Sequence, residues 1–282
     1  MKVSFSQYNM WSRCKLQWKL VYKDKIKIPA ASIHLIFGSA LHEVMQEYLE
    51  IFYSKSEKEA NALQYEKLLF EKMEKYFNES KAAGAENFTT SEELYEYYCD
   101  GIKIIKWFKN KRSDYFLKKE YRLLGCEIPL EFNLSEGIDF IGYMDVVIEH
   151  IPTKKIKIID FKKSYRGWSD KQKKDPTKRG QLQLYKYFYS KKFGVDIDSI
   201  EIEFLILKQK IFEGGDFPAK RIQRVTPPSG KITINKAFND FQKFVKEISA
   251  DNDNIFVSSP SKSNCKYCPF ADKKDICKYG IL

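Results

Sequence analysis

Two aspartates and a lysine, set in an otherwise apolar stretch, carry the first chemistry that can be read from this chain. Residues 141–162 run IGYMDVVIEH, break at IPTKK, and resume as IKIIDFK. Apolar β-formers flank Asp145 and Asp160, and a Pro and a Thr mark the reversal between them. That pattern predicts two buried antiparallel strands joined by a hairpin. A carboxylate in such a strand is costly unless something cationic sits beside it. Lys162 follows Asp160 by two positions, so the two point the same way and Phe161 points into the opposite layer. Two acidic groups and an ammonium on one sheet face suit a divalent metal and a phosphoryl oxygen. An Asp-x-Lys tripeptide by itself is common and reads as a salt-bridged strand pair, so its surroundings decide.

Five further groups of residues bear on that choice. Gly38 and His42, four apart in a helical pattern, share one face, where the glycine leaves room beside an imidazole. Glu127 sits in a strand pattern on the face opposite Ile128, and reads either as facing the carboxylate cluster or as an ordinary exposed strand residue. Gln181 and Tyr185 share a helix face and can hydrogen-bond a phosphate or a base edge. The polar loop KSYRGWSDKQKKDPTKRG offers Lys178 and Arg179 to a phosphate backbone and Trp168 to a stacked base. The tail carries Cys265 and Cys268 next to a Pro, then Cys277. A C-x2-C turn aims two thiolates at one centre, and Cys14 is the natural fourth ligand. Cys99 and Cys126, inside a helix and a strand, are read as core residues.

The elements that must position these residues can be predicted in chain order. Ser4 and Gln7 make a capping box for a helix running to about Tyr22. After a loop through Ile28–Pro29, a second helix covers about 35–52, with a regular apolar stripe. Residues 57–118 read as helical throughout, with Thr90 and Glu93 capping one segment. Strands follow at 123–133, with Ile128, Leu130 and Phe132 on one face, and across the Asp145–Asp160 hairpin. A helix starts near Gly180, a core strand covers 200–207, a ribbon or loop covers 216–228, and an amphipathic helix covers 233–249.

Composition bounds the class. The chain has 282 residues, 43% hydrophobic and 31% charged, as expected of a soluble globular protein. It carries 49 Lys plus Arg against 38 Asp plus Glu, a net charge of +11 that favours a polyanionic partner, nucleic acid first. No apolar run is long enough for a transmembrane helix and no secretion signal opens the chain, so the expected partners include no membrane and the expected location is cytoplasmic. Six cysteines in such a chain argue for metal or cluster ligation over disulfides.

Taken in order, Gly-x3-His42, Gly142-x2-Asp145, Asp160-x-Lys162 and Gln181-x3-Tyr185 resemble the PD-(D/E)XK nuclease superfamily. The likeness is to the branch of RecB and AddB nuclease domains and CRISPR-associated exonucleases. It runs from Ser4 to Cys277. It implies an α/β, restriction-endonuclease-like αβββαβ core in a single nuclease domain (1–282), with a helical insertion at 54–118. Segments 1–22 and 260–282 would pair around an iron–sulfur staple. His42, Asp145 and Asp160 resemble the metal ligands, Lys162 the catalytic lysine, and Gln181 and Tyr185 the DNA-contacting motif. Cys14, Cys265, Cys268 and Cys277 resemble the ligands of a [4Fe–4S] cluster; four thiolates alone would equally suit Zn²⁺. The expected activity is Mg²⁺- or Mn²⁺-dependent hydrolysis of DNA, by an exonuclease acting on single- or double-stranded ends in recombination, repair or phage DNA metabolism. A helicase or recombination partner fits that role, in a prokaryote or a phage-infected host. The competing readings are a non-catalytic DNA-binding or scaffold protein with the same fold, and a zinc-ribbon RNA-binding protein. The intact Asp145, Asp160 and Lys162 speak against the first, and the second accounts for the tail but leaves the core unexplained.

Overall fold

The structure, a computed structural model, describes residues 1–281 except 29–30, 87, 213, 215–218 and 251. In chain order its elements are β1 (Lys2–Val3), α1 (Phe5–Arg13), α2 (Lys15–Trp18), α3 (Ile33–Ser54), α4 (Glu57–Asn61), α5 (Tyr65–Ala82) and α6 (Ser91–Lys111). Then come β2 (Tyr121–Ser135), β3 (Ile138–His150), β4 (Ile156–Ser164), α7 (Asp170–Lys174), α8 (Pro176–Phe193), β5 (Ile200–Lys208), β6 (Ile222–Val225), α9 (Lys231–Ser249) and α10 (Lys262–Cys265). The result is a mixed α/β fold.

The strands form one sheet. β3 is its pivot: β2 runs antiparallel along one edge, while β1 and β4 share the other. β1 pairs parallel with β3 at Asp139 and Phe140, and β4 pairs antiparallel with it from Val146 to Glu149. Between those two pairings, residues 141–145 of β3 have no strand beside them on that edge among the described residues. β4 continues to Ser164 against the parallel β5, so β3 and β4 diverge like the arms of a V. The parallel step from β4 to β5 requires a crossover, which α8 supplies.

Helices cover both sheet faces. α3, α5 and α6 bury Phe37, Leu41, Val44, Leu69 and Phe108 against Val146, Ile148, Ile159 and Phe161. On the other face α1, α8 and α9 bury Phe188, Phe241 and Phe244 against Phe140, Met144, Ile158 and Phe204. Phe161 therefore lies in the α3 layer, as strand alternation requires, with Asp160 and Lys162 turned the other way.

Several expectations shift. The first helix reaches past Tyr22 as expected but not unbroken; it stops at Cys14, whose backbone is extended (φ −157°, ψ 108°), and resumes as the short α2, which continues as a π-helical turn over Lys19–Lys23. The tail causes the interruption by taking up the freed groups. Asn264 donates to the Arg13 carbonyl at 2.8 Å, and Leu16 N–H donates to the Val257 carbonyl at 3.3 Å. Helix in the 57–118 stretch ends at Asp114. The basic loop is partly helical, because Ser169 and Gln172 form a capping box that starts α7 and Asp175 caps α8 at Pro176 rather than near Gly180. Of the expected ribbon at 216–228, Ile222–Val225 form β6, while 216–218, like Pro29, lie outside the described residues. Among the described residues no helix is long and apolar enough to cross a membrane.

Candidate active site

Where β3 and β4 part, a carboxylate takes over from the strand ladder. The last ladder pair is Val146 with Ile159, and beyond it Asp145 Oδ2 accepts the Phe161 N–H at 2.7 Å. That bond fixes Asp145 across the split and orients it towards Asp160. The face assignments change at the same place. Met144 packs in the α8 layer and Val146 in the α3 layer, although residues two apart in a regular strand share a face. Across the ladder, Ile128 and Cys126 switch in the same way, and Glu127 between them has φ +49°, the left-handed region that non-glycine residues rarely adopt. Asp145 and Glu127 thus stand at a shared switch point. Gln46 of α3 ties the two together, donating to Glu127 Oε1 at 2.8 Å and to the Asp145 carbonyl at 3.3 Å.

α3 brings His42 to the same point, with Nδ1 3.5 Å from Asp145 Oδ2 and its ring edge-on to Phe161. Lys162 Nζ lies 3.1 Å from Asp160 Oδ1 and 2.8 Å from Oδ2. Only the first contact is aligned as a hydrogen bond, so Asp160 Oδ2 is buried without one. Asp160 is 1% exposed and Asp145 8%.

The electrostatics follow from that burial. Desolvation pushes the Asp160 carboxyl up to about 7 against the pull of Lys162, and Asp145 repels it further. Desolvation likewise raises Asp145 to about 6, moderated by Lys162 and the Phe161 N–H. Burial drops His42 to about 4, helped by the Lys162 charge, so its imidazole is neutral at pH 7. Burial works against the Lys162 ammonium, but Asp160 and Asp145 outweigh it and hold its pKa above that of an ordinary lysine. Two carboxylates therefore share one cation. Hard oxygens, a neutral imidazole and a buried acceptor left without a hydrogen bond make a donor set that a divalent cation fits. Among the described residues, no three His, Cys, Asp or Glu side chains are already gathered as a formed metal site.

From the opposite side, α8 presents Tyr185, whose hydroxyl accepts from Gln181 at 3.1 Å. Burial raises that phenol to about 12, and it also feels Asp160, Lys162 and Asp145. Gly142 is what allows the approach. A Cβ there would lie 2.7 Å from the Tyr185 ring. The remaining expected DNA contacts divide. Lys178 shares the helix face of Gln181 and Tyr185 and lies over the Trp168 ring at 5.1 Å. Arg179 lies on another face and lines a hollow with Tyr8, Gln183 and Lys236 between α1, α8 and α9. Trp168 does not present a base platform. It is 8% exposed, packs on Phe204, and exchanges two backbone hydrogen bonds with the Gln223 amide of β6, so it anchors the segment instead.

At the chain ends, Cys14, Cys265, Cys268 and Cys277 line one hollow. Burial raises the Cys268 thiol, and the other three cysteines raise it further. Cys126 lies apart, packed against the core with its thiol pushed to about 12 by burial. Glu127, which the sequence left open between an exposed strand residue and a neighbour of the cluster, is exposed yet held beside Asp145 by Gln46. Its signal was the neighbouring Gly125, which marks an irregularity in a strand pattern.

A family model described as the PD-(D/E)XK nuclease superfamily matches residues 2–278. No curated protein matches the chain by sequence. Among solved structures, the chain is similar to a protein from Eubacterium rectale described as a "Putative exonuclease", with 15% identity, 87% of this chain and 79% of that one covered, and a TM-score of 0.49. It is also similar to the protein SSO0001, with 14% identity, 98% and 97% covered, and a TM-score of 0.34. Both scores are too low to carry functional weight.

Proposed function

We propose, from the premise that the chain belongs to the PD-(D/E)XK nuclease superfamily, that it is a metal-dependent DNA exonuclease of the RecB-like branch that processes DNA ends. The observation that carries this reading is the sharing of one ammonium, Lys162, between two buried carboxylates whose pKa values stand near neutrality. Asp145, Asp160 and His42 would hold Mg²⁺ or Mn²⁺, which polarises a phosphodiester and acidifies a bound water. The side chains supply the rest. Lys162 orients the attacking water or meets charge developing on the phosphate, as a preorganised donor in a partly dry cleft. Neutral His42 donates a lone pair without adding positive charge. Tyr185 and Gln181 hold the strand beside the scissile bond, and the Lys-rich segment 171–178 attracts the backbone. We read residues 1–282 as one nuclease domain and 54–118 as its helical insertion. Its helix α5 is pinned to α3 beside the site by Lys72 on Glu43 at 2.8 Å. End-labelled and circular DNA, single- and double-stranded, incubated with Mg²⁺, Mn²⁺ or EDTA, tests the reading. Metal-dependent loss of linear substrate is expected, and no cleavage under any condition would overturn it.

The same reading extends to the four cysteines. Four thiols around one hollow, with the Cys268 thiol raised by burial and further by the other three, form a set that a cationic centre would relieve. We assign it to a [4Fe–4S] cluster that staples segments 1–22 and 260–282, with Zn²⁺ as the alternative occupant. Iron and acid-labile sulfide in protein purified without oxygen are the expected result. One zinc per chain would replace the cluster, and neither metal would remove the staple. The expected setting is the cytoplasm of a prokaryote or of a phage-infected host, with a helicase or recombination protein as partner.

A further inference from the structure

Lys163 neighbours Lys162 in sequence but lies on the opposite face of β4, beneath the start of α3. Its Nζ is 2.9 Å from His34 Nδ1, and the Tyr97 hydroxyl reaches the same nitrogen at 2.8 Å. The ammonium also lies over the Tyr97 ring at 4.6 Å and the Phe37 ring at 5.4 Å. With both donors aimed at Nδ1, the ring proton stays on Nε2, and because His34 is exposed that N–H is free to meet a ligand.

Among the described residues no carboxylate is within ion-pair distance of Lys163. The nearby Asp100 is held by Lys210 at 2.8 Å and Gln209 at 2.9 Å, and Glu93 accepts from Thr89 at 2.7 Å. Burial lowers Lys163 to about 8, with Asp100 and Glu93 pulling the other way, so it is still charged at pH 7. A partly buried ammonium packed on aromatic rings, with an imidazole as its polar neighbour, offers a donor pair that an anion fits.

The position relates it to the scissile bond. His42, Gly38 and His34 recur at four-residue spacing on one face of α3, and a Cβ at Gly38 would meet nothing within 4 Å. At about 1.5 Å rise per residue, His34 lies about 12 Å along the axis from His42. That spans roughly three to four nucleotides at about 3.4 Å per stacked residue of a strand. We propose that His34, Lys163 and Tyr97 form a phosphate-binding subsite for the DNA strand, a few nucleotides from the cut, with the open face at Gly38 as the track between. The assignment rests on the nuclease reading above.

The test is the steady-state kinetics of Lys163→Gln and His34→Ala on oligonucleotides in which one linkage at a time, over the first five from each end, is a neutral methylphosphonate. Lys163→Gln should raise KM by about tenfold, the loss of one charge-assisted hydrogen bond, with kcat nearly unchanged. The salt slope should fall by about one. The rise should vanish on the substrate neutral at one linkage two to four nucleotides from the cut, and His34→Ala should show the same linkage dependence more weakly. An unchanged KM in folded Lys163→Gln, or a rise that ignores which linkage is neutral, overturns the subsite while leaving the nuclease intact. Inhibition by inorganic phosphate that disappears in Lys163→Gln, without linkage dependence, would make it a free-phosphate site and overturn the strand assignment. Wild-type protein that cuts no DNA would fell the nuclease reading, and the subsite with it.

Discussion

At the scale of single residues, the roles of Asp145, Asp160 and Lys162 separate in what their loss should do. Asp160→Ala and Asp145→Asn are expected to reduce metal-dependent cleavage to background while DNA binding survives, because binding rests on Lys and Arg contacts to phosphate. A filter-binding and cleavage pair of assays checks both halves at once. Lys162→Ala should slow cleavage by about 10²–10³, as when a preorganised donor is removed, with metal affinity little changed by calorimetry. Proton linkage gives a further check. Both carboxyls stand above their ordinary values, so in metal-free protein they weaken the folded state as pH rises from about 4 through 7. His42, lowered to about 4, works in the opposite sense, favouring the fold as pH rises from 4 to 6.5. A divalent cation must displace protons from the carboxyls, so its affinity should climb between pH 5 and 8. Calorimetry at pH 6 in buffers of differing ionisation enthalpy should show between one and two protons released per metal. The Asp, Lys, His and Tyr of this cluster were legible in the sequence, because fixed spacings put them on predictable faces. The burial of Trp168 was not, because its backbone is held by Gln223, 55 residues away. For Glu127 both readings stayed open, because its place depends on a backbone φ that no spacing encodes.

Among elements, β3 and α8 approach closely at Gly142. Gly142→Ala would drive a methyl into the Tyr185 ring. A loss of about 1–3 kcal/mol is expected from such overpacking, read by urea denaturation, together with slower cleavage as the ring shifts from Lys162. Gly38→Ala, with open space at its Cβ, should leave stability unharmed. The paired ends offer another test. Cys14→Ser, Cys265→Ser, Cys268→Ser and Cys277→Ser should each bleach and destabilise anaerobically purified protein, while Cys99→Ser and Cys126→Ser keep its colour. Helices and strands were foreseeable wherever an apolar period ran long, as in α3, β3 and α9. The break at Cys14 was not, since its cause is a tail more than 240 residues further on, and α7 was hidden in a run of lysines whose charge outweighed the capping signal of Ser169 and Gln172.

For the molecule as a whole, the mixed α/β class and the order of the core elements could be read from motif order, but the sheet's division could not. Pairing partners at one strand edge are set by long-range packing, not by local pattern. Linear DNA should be degraded several-fold faster than covalently closed circles of the same sequence, because the layer built by α5 and α6 beside the site favours a threaded end. Equal rates on gels would reject this. The divided edge of β3 also has a consequence for how the protein breathes. Amide hydrogens of residues 146–149 are locked between two neighbouring strands, whereas those of 141–145 that face the split have no ladder partner on that side. Deuterium should therefore enter the middle of this central strand within seconds while its far half stays protected for hours, a fast-exchanging window inside the slowest part of the fold.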